Sequence, residues 1–145
     1  MAVNIFYEDV DFKLKQVTKV KTWVKDIVAK HSGKPKSITI VFCNDDYLLQ
    51  INRQYLNHDY FTDIITFPYE DFPMVGGDIF ISIDTVKSNA LQFEVNFSNE
   101  VMRVISHGIL HLIGFNDYSD AERANMHQME DSALMMFEEK YGPIV

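Results

Sequence analysis

The sequence predicts an α+β fold, in which a small four-stranded mixed sheet is covered by a long N-terminal helix with a second helix packed beside it. Two observations indicate this class. Short alternating or β-branched segments occur only before Asp84, and from there onward the apolar residues follow helical spacing alone. With 145 residues, 47% of them apolar and 23% charged, the chain is expected to form one globular domain, residues 1–145.

The first part of the chain alternates between strand and helix patterns. Residues 2–7 predict a strand, and valine and isoleucine then recur at helical spacing over 17–28 until a glycine and a proline end the pattern. Residues 37–42 alternate and are β-branched, which predicts the second strand. Helical spacing returns over 45–55 and predicts a second helix.

Two more strands and three helices complete the prediction. Strands are expected at 64–67 and 78–83, and the loop between them, rich in proline and glycine, predicts that they pair antiparallel. Helices are expected at 85–93, 98–113 and 119–141. The order of the strands in the sheet does not follow from these patterns.

The net charge of −8 hides a strong asymmetry along the chain. Residues 13–36 hold eight lysines against one acid, a local charge of +7, so the remainder carries −15. A solvated helix face is the simplest interpretation of such a run. Any electrostatic contact with a polyanion would nevertheless use this segment, and its candidate contact residues are Lys13, Lys19, Lys21 and Lys25.

Neither a membrane segment nor secretion is indicated. The sequence contains no run of about 18 uncharged apolar residues, and its first residues carry acids where a signal peptide carries bases. Cys43, the only cysteine, has no partner for an internal disulfide. These features predict a protein of the reducing cytoplasm, and they leave its oligomeric state open.

The chemically informative stretch is residues 107–117, HGILHLIGFND. His107 and His111 lie four residues apart on a predicted helix, so both imidazoles face one side, one turn apart, and can bind one metal ion. Such a pair also occurs on surfaces and in cores without a metal. A catalytic zinc site normally has three protein ligands and a water, so a third ligand has to come from nearby.

Asp117 is the candidate third ligand. In a continuous helix its side chain would lie about 240° round from that of His111, so the chain has to turn back for the two to meet. Gly114 can supply this turn, because glycine tolerates the backbone conformation that ends helices. Ser119 and Glu122 then form the pattern of a capping box, which starts the last helix.

Arg103 lies one helical turn before His107 and could contact a phosphate oxygen beside the metal, because its guanidinium fork matches phosphate geometry. A salt bridge with Glu100 or Asp63 is an equally good interpretation. The remaining histidines have no spacing relation to this site and are expected to be bystanders: His31, His58 and His127.

The stretch 107–117 resembles the H-G-x-L-H-L-x-G-[YF]-D-H signature of the YbeY family. Two upstream blocks agree, since residues 51–70 resemble that family's LN-x-x-Y-R…TDVLSFP block and residues 77–82 resemble its GDI-x-IS strand. The resemblance implies a metal-dependent single-strand endoribonuclease of rRNA maturation and ribosome quality control. It further implies RNA and the ribosome as partners and one divalent ion, with zinc favoured, as cofactor.

Two positions depart from the family pattern. Asp117 stands where the family has its third histidine, so the predicted ligand set becomes His, His and Asp. Leu56 stands where the family has an arginine regarded as functional, and Arg53 or Arg103 could take its place.

Two other classes of function remain open from the residues alone. A non-catalytic ribosome-assembly factor could use the metal only to pin the helix to the following loop, because structural sites use the same ligand types. A metallopeptidase also places two histidines on a helix, but that class has a glutamate beside the first histidine as general base. The corresponding residue here is Gly108, which argues against a peptidase.

Overall fold

The computed structural model describes residues 2–58 and 62–145. Within these ranges the strands and helices follow one another along the chain as β1 (Val3–Tyr7), α1 (Val17–Lys30), β2 (Lys34–Cys43), α2 (Asp45–Leu56), β3 (Ile64–Pro68), β4 (Met74–Ser82), α3 (Ile83–Gln92), α4 (Phe97–Ile113) and α5 (Asp120–Tyr141). The strands form one mixed sheet in the order β1-β2-β4-β3. Strands β1, β2 and β4 are parallel, and β3 runs antiparallel to β4 at the edge, which confirms the predicted fold class and the β3–β4 pairing.

Strands β2 and β4 both begin earlier than the sequence patterns predict. Lys34 and Pro35 pair with Met74 and Val75, and a register shift follows before the regular ladder resumes at Ile38. This pairing depends on the neighbouring strand, so the alternation pattern of either segment alone does not show it. At the other end, Ser82 caps α3 by accepting from Thr85 N, so helix begins directly after β4.

One face of the sheet carries the main core. Ile38, Ile40, Ile79 and Ile81 are buried there beneath α1 and α4. Helix α1 in turn packs on α5, where Trp23 donates from Nε1 to the carbonyl oxygen of Ala133 at 2.8 Å. The Trp23 ring also meets Phe137 edge-on, with 5.7 Å between centroids. The first and last helices are therefore fixed to each other, and α5 is held alongside α4.

Helix α4 lies unusually close to the sheet at Gly108. A Cβ atom on this residue would lie 2.8 Å from Cδ1 of Ile64 and 3.0 Å from Cγ2 of Ile79. The absence of a side chain therefore allows the helix to approach strands β3 and β4 directly. The polar side of α4, which carries Arg103 and His107, lines a cleft together with Asp63 before β3 and Glu130 of α5.

The structure bears on two of the observations made from the sequence, which concern membrane segments and the cysteine. No helix in the described ranges has the length and apolar character required to cross a membrane. Cys43 is fully buried in β2, and burial together with the charges of Asp45 and Asp84 raises the pKa of its thiol to about 12. The thiol is therefore protonated at neutral pH and inert.

Candidate metal centre

Helix α4 carries the two histidines of the motif on its polar side. Asn96 caps the start of the helix, because its side chain accepts from the backbone N–H groups of Ser98 and Asn99. Its other face is part of the core, so the rotation of the helix about its axis is fixed by burial. His107 and His111 consequently project together, with 4.5 Å between ring centroids.

The chain reverses direction directly after α4. Gly114 has a φ of 124°, a conformation that favours glycine, and its N–H donates to the carbonyl groups of Leu110 and His111. Beyond the turn, Ser119 and Glu122 form the predicted capping box at the start of α5. The short segment between these two fixed points carries Asp117 back to the histidines.

Three ligand atoms converge at this turn. The Nε2 atoms of His107 and His111 lie 2.9 Å apart, and Oδ2 of Asp117 lies 3.4 Å from each of them. Within the described ranges this trio is the group of potential ligands whose donor atoms all lie within 4.8 Å of one another. The structure therefore contains a group able to bind a metal ion, made of the three residues that the sequence analysis selected.

The outer nitrogen of each ring has its own acceptor. His107 Nδ1 lies 2.7 Å from Oε2 of Glu130, and His111 Nδ1 lies 2.9 Å from the carbonyl oxygen of Phe115. A carbonyl oxygen can only accept, so in a neutral His111 ring the hydrogen is on Nδ1 and the Nε2 lone pair points inward. Acceptors outside and lone pairs inside are the arrangement found around metal-binding histidines, so the residues present fit a divalent cation.

The charge around His107 is negative. Burial alone lowers the pKa of this imidazole, but the hydrogen bond with Glu130 and the nearby carboxylates outweigh burial and raise it above its ordinary value. The same carboxylates stabilise any cation at this position, whether a proton or a metal ion.

Glu130 connects Arg103 to the metal group, which is the trio His107, His111 and Asp117. Only 6% of Glu130 is exposed, and its other carboxylate oxygen accepts from Arg103 Nη1 at 3.1 Å. Arg103 Nη2 donates to Asp131 at 2.6 Å. The salt bridge considered from the sequence, with Glu100 or Asp63, is thus replaced by pairing with Glu130 and Asp131 on α5. The predicted phosphate contact of Arg103 stays a prediction.

Two of the three candidate ligands, His107 and Asp117, lie in the wall of an open cleft of about 740 Å³. Two further acids line this cleft, Asp63 before β3 and Glu100 in the first turn of α4. Burial raises the pKa of both carboxyl groups, although His107 opposes the shift for Asp63 and Arg103 opposes it for Glu100. An apolar rim formed by Phe93 and Val95 completes the cleft among the described residues.

Sequence reasoning missed several residues of the cleft, among them a histidine and a glutamate close to Arg103. His127, expected to be a bystander, lines the cleft, with Nδ1 3.5 Å from Arg103 Nη1. Glu130 was not assigned a role from the sequence, although its position could have indicated one, because it occupies a core position of α5. The apolar stripe that it interrupts consists of Met126, Ala133, Leu134 and Phe137. A glutamate in such a stripe is buried with a partner or it destabilises the helix packing.

The other residues singled out from the sequence lie elsewhere. The ring centroids of His31 and Phe115 lie 5.2 Å apart, and neither residue is among those that line the cleft. Leu56 is the last residue of α2 and Arg53 lies one turn earlier; neither is among the residues that line the cleft. Of the two arginines considered as replacements at the Leu56 position, Arg103 is the one that lies in the cleft.

Comparison with known proteins gives a consistent answer. The family model described as Endoribonuclease YbeY matches residues 4–138. A protein of Phocaeicola vulgatus named Endoribonuclease YbeY is 46% identical over 134 residues, which cover 91% of this chain and 97% of that protein. Its namesake in Bacteroides thetaiotaomicron is 44% identical over 138 residues, with 94% and 99% covered.

A solved solution structure of a Thermotoga maritima protein has the same fold, with a TM-score of 0.67 at 24% identity over 97% of this chain and 91% of that one. The resemblance first seen in the motif at 107–117 is confirmed, and it extends over nearly the whole chain. The chain belongs to the endoribonuclease YbeY family.

Proposed function

We propose that this protein is a metal-dependent endoribonuclease that hydrolyses phosphodiester bonds of single-stranded RNA in rRNA maturation and ribosome quality control. The observation that carries the proposal is the convergence of His107, His111 and Asp117 beside an open cleft, which His107 and Asp117 line. RNA as substrate is supported by the relatives named Endoribonuclease YbeY. We further propose that residues 1–145 form one such hydrolase domain and that the protein acts in the cytoplasm, where rRNA is matured.

Zinc is the ion that we propose for the site. Two imidazole nitrogens and one carboxylate oxygen are the three protein ligands typical of catalytic zinc, which keeps a further position open. When bound, a divalent cation polarises a phosphoryl oxygen and lowers the pKa of water. Because Asp117 replaces an imidazole by a harder oxygen ligand, the site is also expected to tolerate manganese or iron better than three histidines would.

The protein's own contribution is orientation. Glu130 and the carbonyl group of Phe115 fix the ring planes of His107 and His111 through their outer nitrogens. Arg103 in turn holds the Glu130 carboxylate in place. Since a guanidinium has five donors, Arg103 retains N–H groups for the phosphate contact that we propose for it.

The structure favours this function over the two alternatives. A structural metal site, as in a non-catalytic assembly factor, is closed by its ligands, whereas the side chains of this group remain between about a fifth and a third exposed, at a cleft. A metallopeptidase would need a glutamate at position 108, where the chain has Gly108 and where a Cβ atom would already lie 2.8 Å from Ile64 and 3.0 Å from Ile79.

The direct test combines metal analysis with RNA cleavage. The purified protein is expected to hold about one divalent ion per chain after mild chelation, and to lose most of it in His111→Ala and Asp117→Ala because two protein ligands are too few. Asp117→His should retain the ion, since it restores a third ligand. Elemental analysis and cleavage of a single-stranded RNA by the zinc-loaded protein are the measurements.

His127→Ala is the matched control, because it removes a cleft imidazole that is not in the ligand group. Full metal content in the Asp117→Ala variant would show that Asp117 is not a ligand. Turnover of peptides instead of RNA by the loaded protein would favour the metallopeptidase, and metal retention without any turnover would favour the assembly factor.

The role of Glu130 can be tested without measuring activity. Glu130→Gln removes the charge that faces His107 while keeping the shape of the side chain, so zinc affinity is expected to fall about 10- to 100-fold. Competition with a chromogenic chelator measures this affinity. Asp131→Asn is the matched control, because Asp131 pairs with Arg103 but is not the partner of His107 Nδ1. Equal affinities for Glu130→Gln and wild type would refute the orienting role.

For ribosomal RNA we further propose the lysine-rich segment as contact surface. Lys19 and Lys25 are exposed on α1, and Lys13 lies over the ring of Tyr7 at 4.1 Å. None of the eight lysines at 13–36, all of them in described positions, lines the metal cleft. These charges are therefore placed to attract a large polyanion from outside the cleft, not to bind the reacting phosphate.

Charge reversal tests this surface. Replacing Lys19, Lys21 and Lys25 by glutamate should weaken binding to rRNA or ribosomal particles. It should also flatten the dependence of binding on salt, because a protein that contacts fewer phosphates releases fewer counterions. Electrophoretic or sedimentation binding at several salt concentrations measures both. Lys87→Glu, an exposed lysine outside the segment, is the control. An unchanged salt slope in the triple variant would mean that the lysines are only a solvated helix face.

A further inference from the structure

The metal cleft has an apolar, exposed rim. Phe93 and Val95, which follow α3, line the same cleft as His107 and Asp117, and 59% of Phe93 is open to solvent. Single exposed apolar residues are common on proteins. An exposed aromatic ring in the same cleft as a candidate metal centre is a more specific observation.

Backbone hydrogen bonds hold this rim in place. Phe93 N donates to Asn89 O at 2.9 Å, and Val95 N donates to Ala90 O at 3.0 Å. Glu94 between them has a φ of 55°, so the segment turns sharply instead of continuing the helix. Asn96 then caps α4. The ring is thus presented from a segment fixed at both ends, which reduces the entropy lost when it contacts a ligand.

The charges of the cleft do not favour the rest of an RNA strand. Carboxylates of Asp63, Glu100, Asp117 and Glu130 line it. Arg103, the arginine among its lining residues, already pairs with two acids. Away from the metal itself, phosphate groups therefore meet negative potential, and an RNA strand needs an uncharged source of affinity close to the cleavage site.

We propose that Phe93, supported by Val95, is a stacking surface for one unpaired base next to the phosphate at the metal centre. This inference rests on the proposed function. Aromatic side chains stack on every base, so the contact selects unpaired nucleotides with little preference for sequence. A cleft of about 740 Å³ is within the range of about 300–1,000 Å³ that small ligand sites occupy, which is large enough for a nucleotide.

The test compares Phe93→Ala with Leu91→Ala on a short single-stranded RNA. Leu91 is the matched control, because it is 81% exposed at the end of α3, two residues before Phe93, but does not line the metal cleft. Phe93→Ala is expected to raise KM about 5- to 150-fold, the loss of one stacked base, with metal content unchanged. Phe93→Tyr keeps an aromatic ring and should have a KM close to that of the wild type, and Leu91→Ala should have the KM of the wild type.

An abasic scan identifies the partner base. Removing single bases around the cleavage site should raise KM for the wild type at one position, and that position should have no further effect in Phe93→Ala. Additive effects at every position, or equal KM values for Phe93→Ala and Leu91→Ala, would overturn the proposal.

A second readout separates this inference from the proposed function. Trp23, the only tryptophan, is fully buried, so Phe93→Trp adds a reporter that should be quenched by a single-stranded oligonucleotide but not by an abasic chain of equal length. Quenching without RNA cleavage would refute the endoribonuclease and keep the stacking surface. Cleavage of RNA without base-dependent quenching would support the endoribonuclease and refute the stacking surface.

Discussion

The site depends on one constraint: two imidazole nitrogens and a carboxylate oxygen have to point at the same place. The Nε2 atoms of His107 and His111 lie 2.9 Å apart, so two inward lone pairs repel each other unless a cation lies between them. Regular helix geometry aligns the two rings, and the reversal at Gly114 adds Asp117. The rest of the fold fixes these few atoms, through the core face of α4 and through α5.

Negative charge is concentrated around the three ligand residues. Burying carboxylates is costly unless each is compensated, and Glu130 is compensated by Arg103 and His107. A cation among these carboxylates reduces that cost further, which links the stability of the cleft to its occupancy. The same charge repels flanking phosphates of RNA, and the contacts that we propose to compensate for this repulsion are the apolar rim at Phe93 and the distant lysines of α1.

Local features could be predicted from the sequence, and features created by packing could not. The helix pair at α4 and α5, the break at Gly114 and the capping box at Ser119 all depend on residues a few positions apart, and they appear as predicted. The strand order and the early start of β4 depend on partner strands. Glu130 and Phe93 belong to the cleft only because α5 and the segment after α3 are packed beside α4.

X-ray absorption spectroscopy at the zinc edge of the loaded protein tests the central claim most directly. The account predicts two imidazole nitrogens at about 2.0–2.1 Å, one carboxylate oxygen at about 2.0–2.2 Å and a further light ligand that the protein does not supply. The imidazole signal should disappear in the His107→Ala, His111→Ala double variant. A shell of oxygen ligands alone, or an imidazole signal that persists in the double variant, would contradict the assignment of the metal centre.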